Sequence, residues 1–104
     1  MREPPRVLVV DENPANLEIL ETRLNRQGYE VVTARDGDEA LVVARAQTPD
    51  LILLDVMMPN KDGIQVCREL KADRSLPFMP VILVTAKADP GDIVAGLDAG
   101  GDEY

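Results

Sequence analysis

Four short aliphatic runs, spaced by stretches of helical period, constrain this chain more than anything else in it. Arg6-Val-Leu-Val-Val10 shows no polar alternation and reads as a strand buried on both faces, Leu51-Ile-Leu-Leu54 reads as another buried strand, and residues 29–34 and Pro80-Val-Ile-Leu-Val84 form two further strands. A strand apolar on both sides has to be covered on both sides. Strands alternating with amphipathic helices achieve this as βαβ units around a parallel sheet.

The intervening segments supply the helices. Asn13 stands where a cap belongs, Pro14 follows at the first helical position, and Leu17, Leu20 and Leu24 recur on one face until Gly28 ends the run. After a turn at Asp36-Gly37, Ala40, Leu41 and Ala44 mark a second helix closed by Thr48-Pro49. Residues 56–62 read as a loop, and residues 63–72 as a third helix with Val66, Cys67 and Leu70 inward. A polar, proline-bearing connection (73–79) leads to the fourth strand. Asp89-Pro90 opens a fourth helix, with Ile93, Val94 and Leu97 on its apolar face and Gly100-Gly101 at its end. The expectation is an α/β, doubly wound, three-layer sandwich, a single domain over 1–104 in which a fifth strand should begin at the last residues.

Length and charge narrow the function. With 104 residues and 45% hydrophobic content there is room for one core. A net charge of −8, with the cations scattered singly among acids, disfavours nucleic acid and anionic lipid as partners. There is no histidine, which removes imidazole acid/base chemistry, Ser-His-Asp triads and most zinc sites. The single cysteine, Cys67, excludes an internal disulfide and reads as a small core residue in a reducing compartment. No apolar run reaches the length of a membrane span and no signal segment opens the chain, so the cytoplasm is the expected location.

In an open parallel sheet, ligands sit outside the carboxyl ends of the strands, near the point where strand order reverses. Asp11 and Glu12 follow the first strand, Asp55 the third and Thr85 the fourth. If the first and third strands are neighbours, three carboxylates meet beside one hydroxyl. Two carboxylates about 4 Å apart repel by roughly 4 kcal/mol at an effective dielectric near 20. A helix N-terminus offsets only about 0.3–1 kcal/mol of that. A raised pKa or a bound cation must supply the rest, and an all-oxygen site with few protein ligands suits Mg²⁺ shared with a phosphate. An aspartate in such a pocket is a competent phosphoryl acceptor, with positioning and charge neutralisation carrying the catalysis. Read singly, Asp11 or Glu12 serves equally well as a helix cap.

The motifs Val7-Leu-Val-Val-Asp-Glu-Asn13, Leu51-Ile-Leu-Leu-Asp-Val-Met-Met-Pro59, Asp62-Gly63 and Val84-Thr-Ala86 together resemble, in order and spacing, the receiver domain of two-component response regulators. That resemblance implies a flavodoxin-like fold with strand order 2-1-3-4-5, for which a receiver is a standard example. It implies that Asp55 is the phosphoacceptor. Glu12 would bind Mg²⁺ directly, Asp11 largely through water, and Met57 through its backbone carbonyl. Thr85 would move toward the phosphoryl group and Tyr104 turn inward with it. The side chains of Met57 and Lys87 occupy positions that tune phosphoryl lifetime. The donor would be a histidine kinase or a histidine phosphotransfer domain, and the reader a downstream output domain or protein.

This sequence departs from the family pattern in places. Glu12 replaces a more frequent aspartate, and Lys61 stands where an apolar residue is common. A lysine followed by proline is expected three residues beyond Tyr104, past the last residue here, so the chain is expected to be a piece of a longer receiver. An uncovered edge on the fourth strand would leave a homodimer open. Gly100-Gly-Asp-Glu-Tyr104 resembles a diguanylate cyclase signature hairpin, but four βα units precede it and the glycines read as a helix C-cap. An aspartyl-phosphate hydrolase would need an acid where Met57 stands. The remaining alternative is a pseudo-receiver, a docking module that is never phosphorylated.

Overall fold

Each aliphatic run becomes a strand whose side chains are shared between two layers of helix. The computed structural model describes residues 3–55 and 63–84. Along the chain these form β1 (Arg6–Val10), α1 (Pro14–Arg26), β2 (Glu30–Ala34), α2 (Gly37–Gln47), β3 (Leu51–Asp55), α3 (Gly63–Ala72) and β4 (Val81–Val84). The strands are all parallel and lie in the order β2-β1-β3-β4, the order expected of a doubly wound sheet. The expected loop at 56–62, fourth helix at 89–101 and start of a fifth strand lie outside the described residues.

The two sheet faces carry different loads. Leu8, Val10, Ile52, Leu54, Val81 and Leu83 point to the side covered by α2 and α3, where Ala40, Ala44, Val66, Cys67 and Leu70 complete the larger core. Val7 and Val9 point to the other side, against Leu17 of α1. Fully burying a side chain such as Leu8 or Ile52 contributes about 1.5–3 kcal/mol. The reading of the third run as a buried strand holds for only one of its faces. Ile52 and Leu54 are sealed, whereas Leu51 and Leu53 are half-buried, because α1 packs chiefly over β1 and β2.

Local chemistry sets the boundaries. Asn13 caps α1 by accepting the N–H of Ala15 on its side chain. At the other end Gly28 has φ of 92°, its N–H donates to the Asn25 carbonyl at 3.1 Å, and the N–H of Tyr29 donates to Leu24 at 3.1 Å. This is a Schellman ending. It also moves the start of the second strand from Tyr29 to Glu30, because the amide of Tyr29 is spent on the helix. Asp36 caps α2 by accepting from Glu39, and Thr48 closes it in the left-handed region at φ 40°. The fourth strand begins at Val81 rather than Pro80, since proline has no N–H for the ladder, although its carbonyl still accepts from Ile52 at 2.9 Å.

The amino edge of the sheet is tied by Arg6. Its amide donates to Asp50 Oδ2 at 2.8 Å while the amide of Asp50 donates back to its carbonyl at 2.7 Å. The guanidinium reaches the Gln47 carbonyl at 2.9 Å and Glu30 at 3.1 Å. One side chain thus joins the starts of β1 and β2 to the end of α2, and the carboxyl edge is left for chemistry.

Candidate functional site

Register decides which acids meet. Val10 is paired with Leu54, so Asp11 and Asp55 each stand one step beyond the same rung of neighbouring parallel strands. The third strand runs one residue further than its aliphatic core and includes Asp55, which is paired with Val84. Asp11 leaves β1 with its amide still donating to the Ala34 carbonyl at 3.1 Å, which anchors its backbone to β2 as well.

Asp11 and Asp55 line one shallow cavity of about 80 Å³, floored by Val9, Val10, Leu20 and Leu53. The Asp11 carboxylate is held from the α1 side: Oδ1 accepts the backbone N–H of Asn13 at 2.9 Å, and Oδ2 accepts from the Asn16 side chain at 3.3 Å. A carboxylate has about four acceptor positions, so two are left for a cation or its waters. Asn16 was not anticipated. Its signal in the sequence is faint, a polar residue in the first turns of the helix that follows the acid.

Glu12 is exposed and does not line the cavity. Among the described residues no three His, Cys, Asp or Glu side chains are arranged to hold a metal. The expected convergence of three carboxylates appears as two, Asp11 and Asp55, with Glu12 next to Asp11 along the chain but outside the cavity. Met57, Thr85 and Tyr104 lie outside the described residues. The donor set nevertheless fits Mg²⁺, which takes one or two carboxylates and keeps several waters.

An open parallel sheet with helices on both faces and paired acids at the carboxyl edge of its two central strands defines a doubly wound α/β domain with a carboxylate site at its switch point. The model of the response regulator receiver domain matches residues 7–104, and the chain belongs to that family, the receivers of two-component signalling. It is 48% identical over 99 residues to the response regulator PleD of Caulobacter vibrioides and 48% identical over 99 residues to the probable transcriptional regulator ycf27 of Cyanophora paradoxa. Those 99 residues are 95% of this chain but 22% and 40% of the two relatives. Among solved structures, the chemotaxis protein CheY4 of Vibrio cholerae superposes with a TM-score of 0.90 at 30% identity, covering 96% of this chain and 83% of that one. The signal receiver domain of a signal transduction histidine kinase from Syntrophus aciditrophicus does so at 0.87 and 39% identity, covering 96% and 76%. Among the described residues no helix is long and apolar enough to cross a membrane.

Proposed function

We propose that this receiver accepts a phosphoryl group on Asp55 from a phosphohistidine of a kinase or phosphotransfer domain, with Mg²⁺ held by Asp11, Glu12, Asp55 and the backbone carbonyl of Met57. The supporting observation is the shared rung, which brings Asp11 and Asp55 to one cavity from separate strands. In the transfer an Asp55 oxygen bonds phosphorus as the N–P bond breaks, and the imidazole nitrogen leaves with the bonding pair and takes a proton from water. The cation's contribution is to neutralise the phosphoryl oxygens.

The chain's own residues do the positioning. Asn13 and Asn16 hold Asp11 toward the cavity, and Leu20 and Leu53 exclude water from its floor. Thr85 and Tyr104 then report the phosphoryl group by shifting between two arrangements, which an output domain or protein reads. On this reading the domain is a switch taking part in its own phosphorylation and dephosphorylation, it acts in the cytoplasm, and it touches neither nucleic acid nor membrane itself.

Incubation with Mg²⁺ and acetyl phosphate tests it. One phosphoryl is expected by intact mass, absent in Asp55→Asn and absent with excess chelator. No gain in the parent sequence defeats the reading and favours a docking module, and a gain that survives Asp55→Asn defeats Asp55 as the acceptor.

A further inference from the structure

Away from the carboxyl edge, the connection from α3 to β4 builds a second concavity, of about 170 Å³. Its apolar wall is Leu76, Pro77 and Phe78, and Phe78 is 75% exposed, the most exposed of the large apolar side chains described. The ammonium of Lys71 lies 4.6 Å from the centre of the Phe78 ring and donates to the Met79 carbonyl at 3.0 Å. One cation thereby fixes both the ring and the backbone of the rim. Arg74 also lines the concavity, is exposed, and makes no ion pair with a described residue. The acid on the rim, Asp73, is already occupied by Ser75 and by Arg45 at 3.2 Å.

The local charge is therefore opposite to that of the molecule. On a chain of net charge −8, two cations flank an exposed aromatic ring in a preformed hollow. An exposed phenylalanine attracts apolar groups, the positive rim attracts carboxylates, and the net negative charge of the chain disfavours non-specific attachment of an acidic partner. Register on this surface would come from the charges and area from the ring.

We infer that the hollow between the end of α3 and β4 is a docking site for an acidic peptide segment of a partner protein, with a bulky apolar residue against Phe78 and a flanking carboxylate on Arg74. This does not rest on phosphorylation of Asp55, and it holds equally for a receiver that is never phosphorylated.

The test uses the isotopically labelled chain and NMR titration with a peptide of alternating aspartate and leucine, beside a lysine-leucine peptide and an uncharged serine-leucine peptide of equal length. Amide shifts from the acidic peptide are expected to cluster over residues 70–79, to weaken with salt, and to lose about tenfold or more in affinity in Arg74→Glu and in Phe78→Ser. Both side chains are exposed, so both variants should keep the dispersed spectrum of the parent. The inference is overturned by shifts centred elsewhere, by equal binding of the uncharged peptide, by unchanged affinity in both variants, or by concentration-dependent shifts of residues 70–79 without peptide, which would make a second copy of this chain the occupant.

Discussion

The backbone N–H of Asn13 donates to Asp11 Oδ1 at 2.9 Å, so the acid at the end of β1 is oriented by the residue that opens α1. The same asparagine caps that helix through its side chain, accepting the amide of Ala15 at 2.9 Å. Site geometry and helix nucleation thus share one residue, and they separate by substitution. Asn13→Ala removes the cap but keeps the amide that holds Asp11. A loss of about 1 kcal/mol in stability is expected, or about 4–8 °C in melting temperature, with Mg²⁺ affinity changed little. Circular dichroism melts and calorimetric Mg²⁺ titration of the same sample measure both.

Removing the acid itself reverses that pattern. Asp11→Asn takes away a charge from a cavity shared with Asp55 and relieves repulsion there, so stability should hold or rise slightly. Mg²⁺ binding should weaken by about tenfold or more, because a hard cation loses one of its few charged ligands. Equal Mg²⁺ affinity in parent and variant would remove Asp11 from the metal site.

At the amino edge, Asp50→Ala leaves the Arg6 amide without its acceptor in a half-buried position and is expected to cost about 1–3 kcal/mol. Glu30→Gln breaks only a partly exposed ion pair to the same arginine and should cost at most about 1 kcal/mol. Denaturant unfolding of the two variants ranks them, and the reverse order would contradict the role given to Asp50.

The carboxyl of Asp73 is held below its usual range, first by the Ser75 hydroxyl and amide and then by Arg45. A carboxylate with a depressed folded pKa stabilises the fold above its unfolded pKa, and that contribution is lost as pH falls through the folded value. The tie between the α3–β4 connection and α2 should therefore loosen only in acid. Ser75→Ala removes the largest cause, and NMR titration of the Asp73 carboxyl should show its midpoint moving upward toward that of a free aspartate.

The helix boundaries needed little more than local chemistry. Asn13-Pro14, Gly28, Asp36-Gly37 and Thr48-Pro49 mark ends that the structure reproduces, because caps and left-handed turns are satisfied within a few residues of chain. Where two partners compete for one group, boundaries moved, locally at Tyr29 and through strand pairing at Asp55. Tyr29 gave its amide to Leu24 instead of to a strand, and Asp55 joined β3 because Val84 was there to pair with it. Half-burial of Leu51 and Leu53 was likewise invisible in an unbroken aliphatic run, since covering a face depends on where α1 comes to rest.

Asp11, Glu12 and Asp55 were legible as candidates from their place after aliphatic runs, together with the alternation that makes the sheet parallel and the family pattern that orders its strands. Which acids share a cavity was not. That depended on the register between β1 and β3, with Val10 opposite Leu54, a pairing across more than forty residues of chain. The same holds for Lys71 and Phe78, apart in the sequence and stacked in the fold. Periodicity and capping are encoded in nearest neighbours along the chain, whereas register and the company a side chain keeps are set by hydrogen bonding and packing between segments that meet only after folding.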